Sequence, residues 1–394
     1  MRNLLRRAVH TALPILVVLL AAAEAEAQEP AISGFSTGAA AGQRALEARA
    51  IERIQPAALD SLARALAREP HVAGSAAQAR VRDWILEQKR SWGLEAEVKT
   101  YSIYLPWPTA VELELVAPAR QRFELGEPAL DSDPTSSLPQ FPWVNGYSGA
   151  GAVEGEVVYV NYGLHEDYAR LDSIGVSVAG KIVLARYGRS YRGVKARLAE
   201  QQGALGLILY SDPYDDGYFR GDVYPEGAYR SPHAVQRGSI KNGPGDPSTP
   251  SWASVPGARR VEPGSTPGME VPRIPVIPVG YAVAEPILRA LRGRDLPGQE
   301  WQGALPLRYH VGPGPARVRL KVADDRETNP YKDIWNTIAW VRGRERPDEW
   351  VVAGAHSDAW NAGAGDNVSG TASVLAAARA VAELARAGAR PRRT

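Results

Sequence analysis

The chain of 394 residues contains no cysteine. It therefore forms no disulfide bond, and any metal site has to use histidine, aspartate and glutamate as ligands. That ligand set favours a catalytic zinc site over a structural one, because structural zinc sites are mostly built from cysteine. Only six histidines are present, so a histidine close to carboxylates in the sequence is a candidate ligand.

The chain also lacks a large excess of charge of either sign. The 46 basic and 44 acidic residues nearly cancel, which argues against a nucleic-acid footprint or a membrane-surface binder and favours a small or peptidic partner.

Long apolar runs are equally scarce. Only residues 12–23 form one, after three arginines and before Ala25-Glu26-Ala27, which predicts a signal peptide over residues 1–27 with cleavage before Gln28. The run is shorter than the roughly 20 residues that span a bilayer, so we expect a secreted or periplasmic protein without a membrane span after cleavage.

Composition divides the mature chain into three regions. Residues 43–104 read as helices followed by a strand. The best-defined helix is "SAAQARVRDWILEQKRSWG", with Ser75 as its N-cap and Val81, Ile85 and Leu86 on one face. The strand "EAEVKTYSIY" follows it.

Residues 105–325 have a different composition, with short predicted strands, turns rich in proline and glycine, and many aromatic residues. This composition predicts a separate β-rich domain. Within it "AGKIVLARYG", "RGVKARLAEQQGA" and "LGLILYSDP" predict one strand–helix–strand unit. Residues 241–272 contain too much proline and glycine for regular structure and are predicted to be a loop.

Residues 326–394 return to alternating strands and helices. "IWNTIAWVRG" and "DEWVVAGAH" read as two apolar strands of an α/β sheet. They precede a helix whose apolar face is predicted to contain Val374, Ala378, Val381, Ala382 and Ala385. Ligands of such sheets lie outside the carboxyl ends of the strands. His356 falls at that position, and Asp366 falls at the start of the helix.

The residue types around His356 suit a metal. Imidazole nitrogen and carboxylate oxygen bind zinc, and a carboxylate such as Asp366 can bridge two ions. Asp358 is placed to accept the other imidazole N–H and orient the ring. The alternative is a structural histidine, with Asp366 acting only as a helix cap.

The segment "AGAHSDAWNAGAGDNVSGTASVL" resembles the first metal-binding segment of the M28 zinc peptidases. "GEVVYVNYG", "GKIVLARYGRSYRGVKARLAEQQGALGLILYSDP" and "YPEGAYRSPHAVQRGSIKNGPGDPSTP" resemble the glutamate carboxypeptidase II and transferrin-receptor branch, in which a protease-associated (PA) domain is inserted into the peptidase domain. The resemblance implies a partial α/β zinc-peptidase fold of the phosphorylase/hydrolase-like type, with a mixed sheet and helices. Residues 43–104 and 326–394 would form the peptidase part, and residues 105–325 the β-rich PA domain.

The resemblance also implies roles for individual residues. His356 would be a terminal ligand and Asp366 the bridging ligand of two zinc ions, and Asp358 would be the catalytic-site carboxylate that orients His356. The Asp366–Asn367 peptide bond is expected to be cis. Arg192 would contact the C-terminal carboxylate of a peptide substrate. Ser239 takes the place of an asparagine that contacts the substrate in the carboxypeptidases, which argues against glutamate selectivity.

The function implied is that of an exported two-zinc exopeptidase, most simply a carboxypeptidase acting on small peptides. Members of the branch continue past the equivalent of Thr394 with the general-base glutamate, further zinc ligands and a dimerisation domain. We therefore expect this chain to be an incomplete fragment, inactive alone, and the homodimer to form only in the full-length protein. Two alternatives stay open: an M28 aminopeptidase and a binding protein without catalysis, similar to the transferrin receptor.

Overall fold

The computed structural model describes residues 31–394, so the predicted signal peptide and its cleavage site lie outside the described residues. The described chain opens with helices α1 (Thr37–Glu52), α2 (Pro56–Leu66) and α3 (Ala76–Ser91). Ser75 caps α3 by accepting a hydrogen bond from the Gln78 backbone N–H at 3.0 Å. The predicted cap of this helix is therefore confirmed.

Strand β1 (Glu95–Tyr104) pairs antiparallel with β11 (Tyr331–Trp340), which comes much later in the chain. Tyr104 at the end of β1 lies opposite Tyr331 at the start of β11. The chain between these two residues therefore leaves and returns at one place, as an inserted unit does. Helix α3 packs against both strands.

The chain between β1 and β11 builds a seven-stranded mixed sheet in the order β3-β2-β10-β5-β6-β7-β9. Strands β3, β2, β10 and β5 pair antiparallel, whereas β5, β6, β7 and β9 pair parallel. The parallel half is buried on both faces, which explains its continuous apolar runs. The strands are β2 (Pro108–Ala117), β3 (Gln121–Arg122), β5 (Gly151–Tyr159), β6 (Ile182–Arg186), β7 (Gly206–Tyr210), β9 (Val276–Val279) and β10 (Arg317–Asp324).

Helices cover this sheet. They are α4 (His165–Ser173), α5 (Arg192–Gln201), α6 (Pro213–Asp216) and α7 (Tyr281–Ala290), with 3₁₀ turns at Pro134–Ser137 and Gln299–Trp301. The predicted unit β6–α5–β7 is confirmed, but the prediction of a single unit was wrong because α4 connects β5 to β6 in the same way. Helix α4 buries Tyr168 and Leu171, and its nine residues are too few for an apolar period to stand out.

The loop of residues 241–272 is packed rather than projecting freely. The buried Asp246 carboxylate accepts hydrogen bonds from the Ser248 backbone N–H at 2.8 Å and from the Tyr104 N–H at 3.2 Å. Arg260 lies over the ring of Tyr331, with its guanidinium carbon 4.2 Å from the ring centroid. The loop therefore docks on the end of the β1–β11 pair.

Residues 348–356, predicted to be a strand, do not form one. Among the described residues no strand pairs with them, and the Trp350, Val351 and Val352 side chains are 63%, 74% and 82% exposed. A strand requires ladder partners for its backbone groups, and an apolar composition does not supply them. The Val351 N–H donates instead to the Thr394 carbonyl at 2.8 Å.

Helix α8 (Ser369–Arg386) follows a turn, Ala364–Val368, in which the backbone of Asp366 and Asn367 is not helical. In the part of the chain that the structure describes, this helix together with that turn is the one segment long and apolar enough to cross a membrane. In the fold it packs against α1, α2 and α3.

The buried face of α8 agrees only in part with the predicted one. Of the predicted residues, Ala382 is buried, Val374, Ala378 and Ala385 are half-buried, and Val381 is exposed. Ala372 and Leu375, which were not predicted, are buried against the helical core. The helix is apolar on several sides, so periodicity alone does not define its inward face. The contacts with α1, α2 and α3 define it.

Candidate active site

Residues 356–368 contain the predicted zinc ligands His356 and Asp366, and we call them the metal loop. This loop is held by contacts with the N-terminal helical region and with the insertion. The Ala359 N–H donates to the His71 carbonyl at 3.2 Å, and the His71 N–H donates to the Asn361 carbonyl at 3.4 Å. Between these bonds Trp360 packs against Phe141, with ring centroids 5.4 Å apart. The loop is thus attached to the N-terminal helical region through His71 and to the insertion through Phe141.

His356 faces a carboxylate on each side of its ring. Its Nδ1 lies 3.3 Å from Asp358 Oδ1, and its Nε2 lies 3.1 Å from Asp366 Oδ1. The hydrogen bond at Nδ1 is to the Asp358 backbone carbonyl at 3.1 Å. A carbonyl oxygen only accepts, so this contact requires the proton on Nδ1, and a metal at Nε2 would use the lone pair of that tautomer. The His356 and Asp366 side chains are both exposed, so the pair is accessible from solvent.

The backbone around these ligands is fixed by the start of α8. The His356 carbonyl accepts hydrogen bonds from Thr371 Oγ1 at 2.8 Å and from Asn367 Nδ2 at 3.2 Å. The Asp366–Asn367 peptide bond is cis, as predicted. The predicted convergence of the strand end and the helix start is therefore present even though residues 348–356 form no strand.

The separation of the two ligand atoms suits a single zinc ion. Bonds of about 2.0–2.2 Å at a tetrahedral angle place a nitrogen and an oxygen ligand about 3.3 Å apart, close to the 3.1 Å between His356 Nε2 and Asp366 Oδ1. Among the described residues, no group of three or more His, Cys, Asp or Glu side chains is arranged to hold a metal ion. The metal loop therefore fits as a part of a zinc site.

The second element of the site is a short parallel pair, β4 (Asn145–Gly146) with β8 (Gly238–Ser239). The buried Asn145 side chain donates from Nδ2 to the Gly238 carbonyl at 3.2 Å and to Tyr187 Oη at 3.0 Å. Tyr187 Oη donates in turn to the Gln236 carbonyl at 2.6 Å. Burial raises the pKa of Tyr187 to about 12, so the phenol stays a neutral donor and secures the position of β8.

Arg192, the first residue of α5, lies over Gly238. A methyl group on Gly238 would fall 2.6 Å from Arg192 Nε and closer to the rest of the guanidinium. Arg192 Nε and the neighbouring Ser239 Oγ are both buried and have no hydrogen-bond partner. Among the described residues, no carboxylate forms an ion pair with Arg192. The site therefore presents a cation and a hydroxyl group to an anionic ligand.

Strands β4 and β8 connect Arg192 with the metal loop. On β4, a Cβ on Gly146 would lie 3.1 Å from the Trp360 ring and 3.6 Å from the Ser239 Cα. On β8, Gly238 contacts Arg192. Two glycines therefore allow the insertion to approach the metal loop closely on one side and the arginine on the other.

Sequence reasoning named the candidate ligands His356 and Asp366 and the candidate substrate-binding Arg192, and it missed the residues that hold them in place. Trp360, Gly146 and Gly238 attracted no functional prediction. Two of them lie in strands of two residues, which are too short for a periodic signal. Gly238 has φ +136°, and only its close approach to Arg192 in the fold distinguishes it from other glycines of the chain.

Comparisons with known proteins agree with this division of the site. Residues 153–246, which include Arg192 and Ser239, match the family model of the PA domain, and residues 336–394, which include the metal loop, match that of peptidase family M28. A probable glutamate carboxypeptidase of Arthroderma benhamiae is 37% identical over 341 residues, which are 82% of this chain and 46% of that protein. The aminopeptidase NAALADL1 of Mus musculus is 33% identical over 351 residues, 84% of this chain and 46% of that protein.

The fold is also similar to a solved structure. The peptidase M28 precursor from Shewanella amazonensis matches with a TM-score of 0.53 at 18% identity, over 89% of this chain and 65% of that one. The chain spans about half the length of the curated relatives it matches. From the two family models and the relatives that share about a third of its sequence, the chain belongs to peptidase family M28 and carries a PA domain.

Proposed function

We propose that the protein is an exported two-zinc metallo-exopeptidase that acts as a carboxypeptidase on small peptides. The observation that carries the proposal is the unpaired Arg192 guanidinium beside Ser239, connected through β4 and β8 to the loop that holds His356 and Asp366. A peptide bound there has its terminal carboxylate near a cation and its last peptide bond near the metal ligands. The reaction adds water across that bond, so that the acyl carbon gains an oxygen and the leaving amine gains a proton.

Each residue of the site has a role in this proposal. His356 would hold zinc through Nε2, and Asp358, beside Nδ1, would keep the ring in orientation. Asp366 would be the carboxylate ligand shared by the two ions. Zinc would supply a Lewis acid that polarises the carbonyl and lowers the pKa of water. The remaining ligands and the general base belong, in this proposal, to residues other than those described.

The choice of a carboxypeptidase over an aminopeptidase depends on charge. A guanidinium without a carboxylate partner favours the carboxyl end of a peptide, because its planar fork matches a carboxylate. An aminopeptidase has to hold a free ammonium group, which the unpaired Arg192 would repel. A binding protein without catalysis has no need of His356 and Asp366 in ligand geometry, and for this reason it is the weaker candidate.

The test uses the full-length protein with N-acyl dipeptides and their C-terminal amides. Arg192→Ala should raise KM strongly for the free acids and little for the amides. Arg197→Ala, five positions along the same helix, should change neither. Equal effects of Arg192→Ala on both substrates would remove Arg192 from the site, and turnover restricted to peptides with a free N-terminus would favour the aminopeptidase.

Zinc and export are tested separately. Elemental analysis of the full-length protein should find two zinc ions per chain, with fewer after His356→Ala or Asp366→Ala. Intact-mass measurement of the exported protein should give Gln28 as the first residue. Retention of Met1 on the secreted product would contradict the predicted cleavage.

A further inference from the structure

A cavity of about 140 Å³ opens beside the metal loop. Three aromatic rings form one of its walls. Trp107 meets Phe141 edge-on with ring centroids 6.1 Å apart, and Phe141 meets Trp360 at 5.4 Å. Ser239 and Asp358 also line the cavity. It therefore reaches Ser239 of β8 on one side and Asp358 of the metal loop on the other, and Arg192 lies outside its lining.

The charges around the cavity do not suit an acidic ligand. Its lining contains no lysine, arginine or histidine among the described residues, and it contains two carboxylates, Asp324 and Asp358. Asp324 is paired with Arg326 at 2.6 Å, and Asp358 faces His356 Nδ1 at 3.3 Å. A glutamate side chain would meet two carboxylates and no unpaired cation among the lining residues, which makes its burial costly. A lysine side chain would find both carboxylates already occupied.

Three residues that line the cavity each have one buried side-chain polar atom without a hydrogen-bond partner. These atoms are Asn145 Oδ1, Ser239 Oγ and Trp107 Nε1. Ser239 is adjacent to Gly238, over which Arg192 lies. The cavity thus combines an aromatic wall with a polar edge next to the arginine, the arrangement that suits an apolar residue with a carboxylate.

We propose that this cavity takes the apolar or aromatic side chain of the substrate's C-terminal residue, while the carboxylate of that residue contacts Arg192 and Ser239. The inference rests on the proposed carboxypeptidase function and adds the substrate class. The preferred peptides end in leucine or phenylalanine and not in glutamate.

The experiment measures kcat/KM of the full-length protein on one N-acyl dipeptide series that ends in Phe, Leu, Gly or Glu. Burial of a Leu or Phe side chain favours binding by roughly 10- to 150-fold, so we expect the Phe and Leu peptides to exceed the Glu peptide by at least about tenfold. Glu turnover equal to or above Phe turnover would overturn the inference and leave the carboxypeptidase function standing. No turnover of any peptide would refute both.

Two substitutions at Ala73, which lines the cavity, sharpen the test. Ala73→Phe fills the cavity and should lower the ratio of Phe to Gly turnover by about tenfold, whereas Ala73→Lys supplies the missing cation and should raise the ratio of Glu to Phe turnover. Ala377→Phe, on the exposed side of α8, should leave both ratios unchanged. Unchanged ratios in both Ala73 variants would place the substrate side chain elsewhere. Because each ratio is taken within one protein, partial loss of folded enzyme does not affect it, and the wild-type series decides the question if neither variant folds.

Discussion

Replacing Gly238 by alanine tests whether the position of the Arg192 guanidinium controls substrate binding. A Cβ at this position would fall 2.6 Å from Arg192 Nε, a distance that requires the guanidinium to leave its position over Gly238. A hydrogen bond to a charged group contributes about 1.5–3 kcal/mol. We therefore expect KM for N-acyl dipeptides with a free carboxylate to rise by roughly 10- to 150-fold, with little change for the C-terminal amides.

The same substitution also affects stability. Gly238 has φ +136°, and a non-glycine residue held in a sparsely populated backbone region costs about 1–3 kcal/mol. Gly245→Ala is the matched control, because Gly245 has φ +74° and no heavy atom lies within 4 Å of the point that an added Cβ would occupy. It should lose stability in urea unfolding and keep its KM. A Gly238→Ala protein with wild-type KM, or with equal losses on acids and amides, would refute the reasoning.

Three further predictions concern the buried Lys195, the carboxylate of Asp358 beside His356, and the core position Leu375. Burial lowers the pKa of Lys195 to about 8. Between about pH 8 and 10.5 the unfolded chain therefore binds more protons than the folded chain, and the free energy of unfolding rises with pH. Compared with Lys195→Met, the wild type should gain about 2 kcal/mol of unfolding free energy from about pH 7 to 9.5, measured by urea unfolding. Asp358→Ala should weaken zinc binding roughly 10- to 100-fold in a chelator competition, because it removes the carboxylate 3.3 Å from His356 Nδ1 and leaves only the backbone carbonyl of residue 358 beside that nitrogen. Leu375→Ala should cost about 2–5 kcal/mol of unfolding free energy, and Val381→Ala less than about 1 kcal/mol, since only Leu375 is fully buried.

Each of these has a contradicting result. Parallel stability curves for the wild type and Lys195→Met across that pH range would mean that Lys195 keeps its ordinary pKa in the fold. Unchanged zinc affinity in Asp358→Ala would mean that His356 is oriented by backbone contacts alone. Equal losses at Leu375 and Val381 would place both faces of α8 in the core.

Local signals predicted the elements whose stability is local. Helix α3 has a capping serine and an apolar period, and the unit β6–α5–β7 has clear breaks between its parts, so both follow from the sequence. The candidate metal ligands His356 and Asp366 could be named because histidine and aspartate are residue types that bind zinc. Residues 348–356 look like a strand for the same local reasons, yet a strand is formed with a partner, and the sequence of one segment does not contain its partner.

The parts that sequence could not supply are long-range contacts. The pairing of β1 with β11 joins segments at opposite ends of the insertion, and the Arg192–Gly238 contact joins a helix start to a strand of two residues. The cavity between Trp107, Phe141 and Trp360 is formed by residues of three separate segments. Such contacts depend on how the folded units pack against each other, and a periodic sequence pattern within one segment does not determine that packing.

Docking also determines the distance between the two halves of the site. Three separate contacts join the insertion to the rest of the chain: the ends of the β1–β11 pair, the loop held by Asp246 and Arg260, and Trp360 on Phe141. Because the contacts involve different segments, rotation of the insertion about any one of them would break another. The proposed carboxypeptidase has to cleave one residue from the C-terminus, which requires a constant spacing between the carboxylate site and the metal loop. A rigid junction provides that spacing, whereas a hinged insertion would allow peptides to bind out of register.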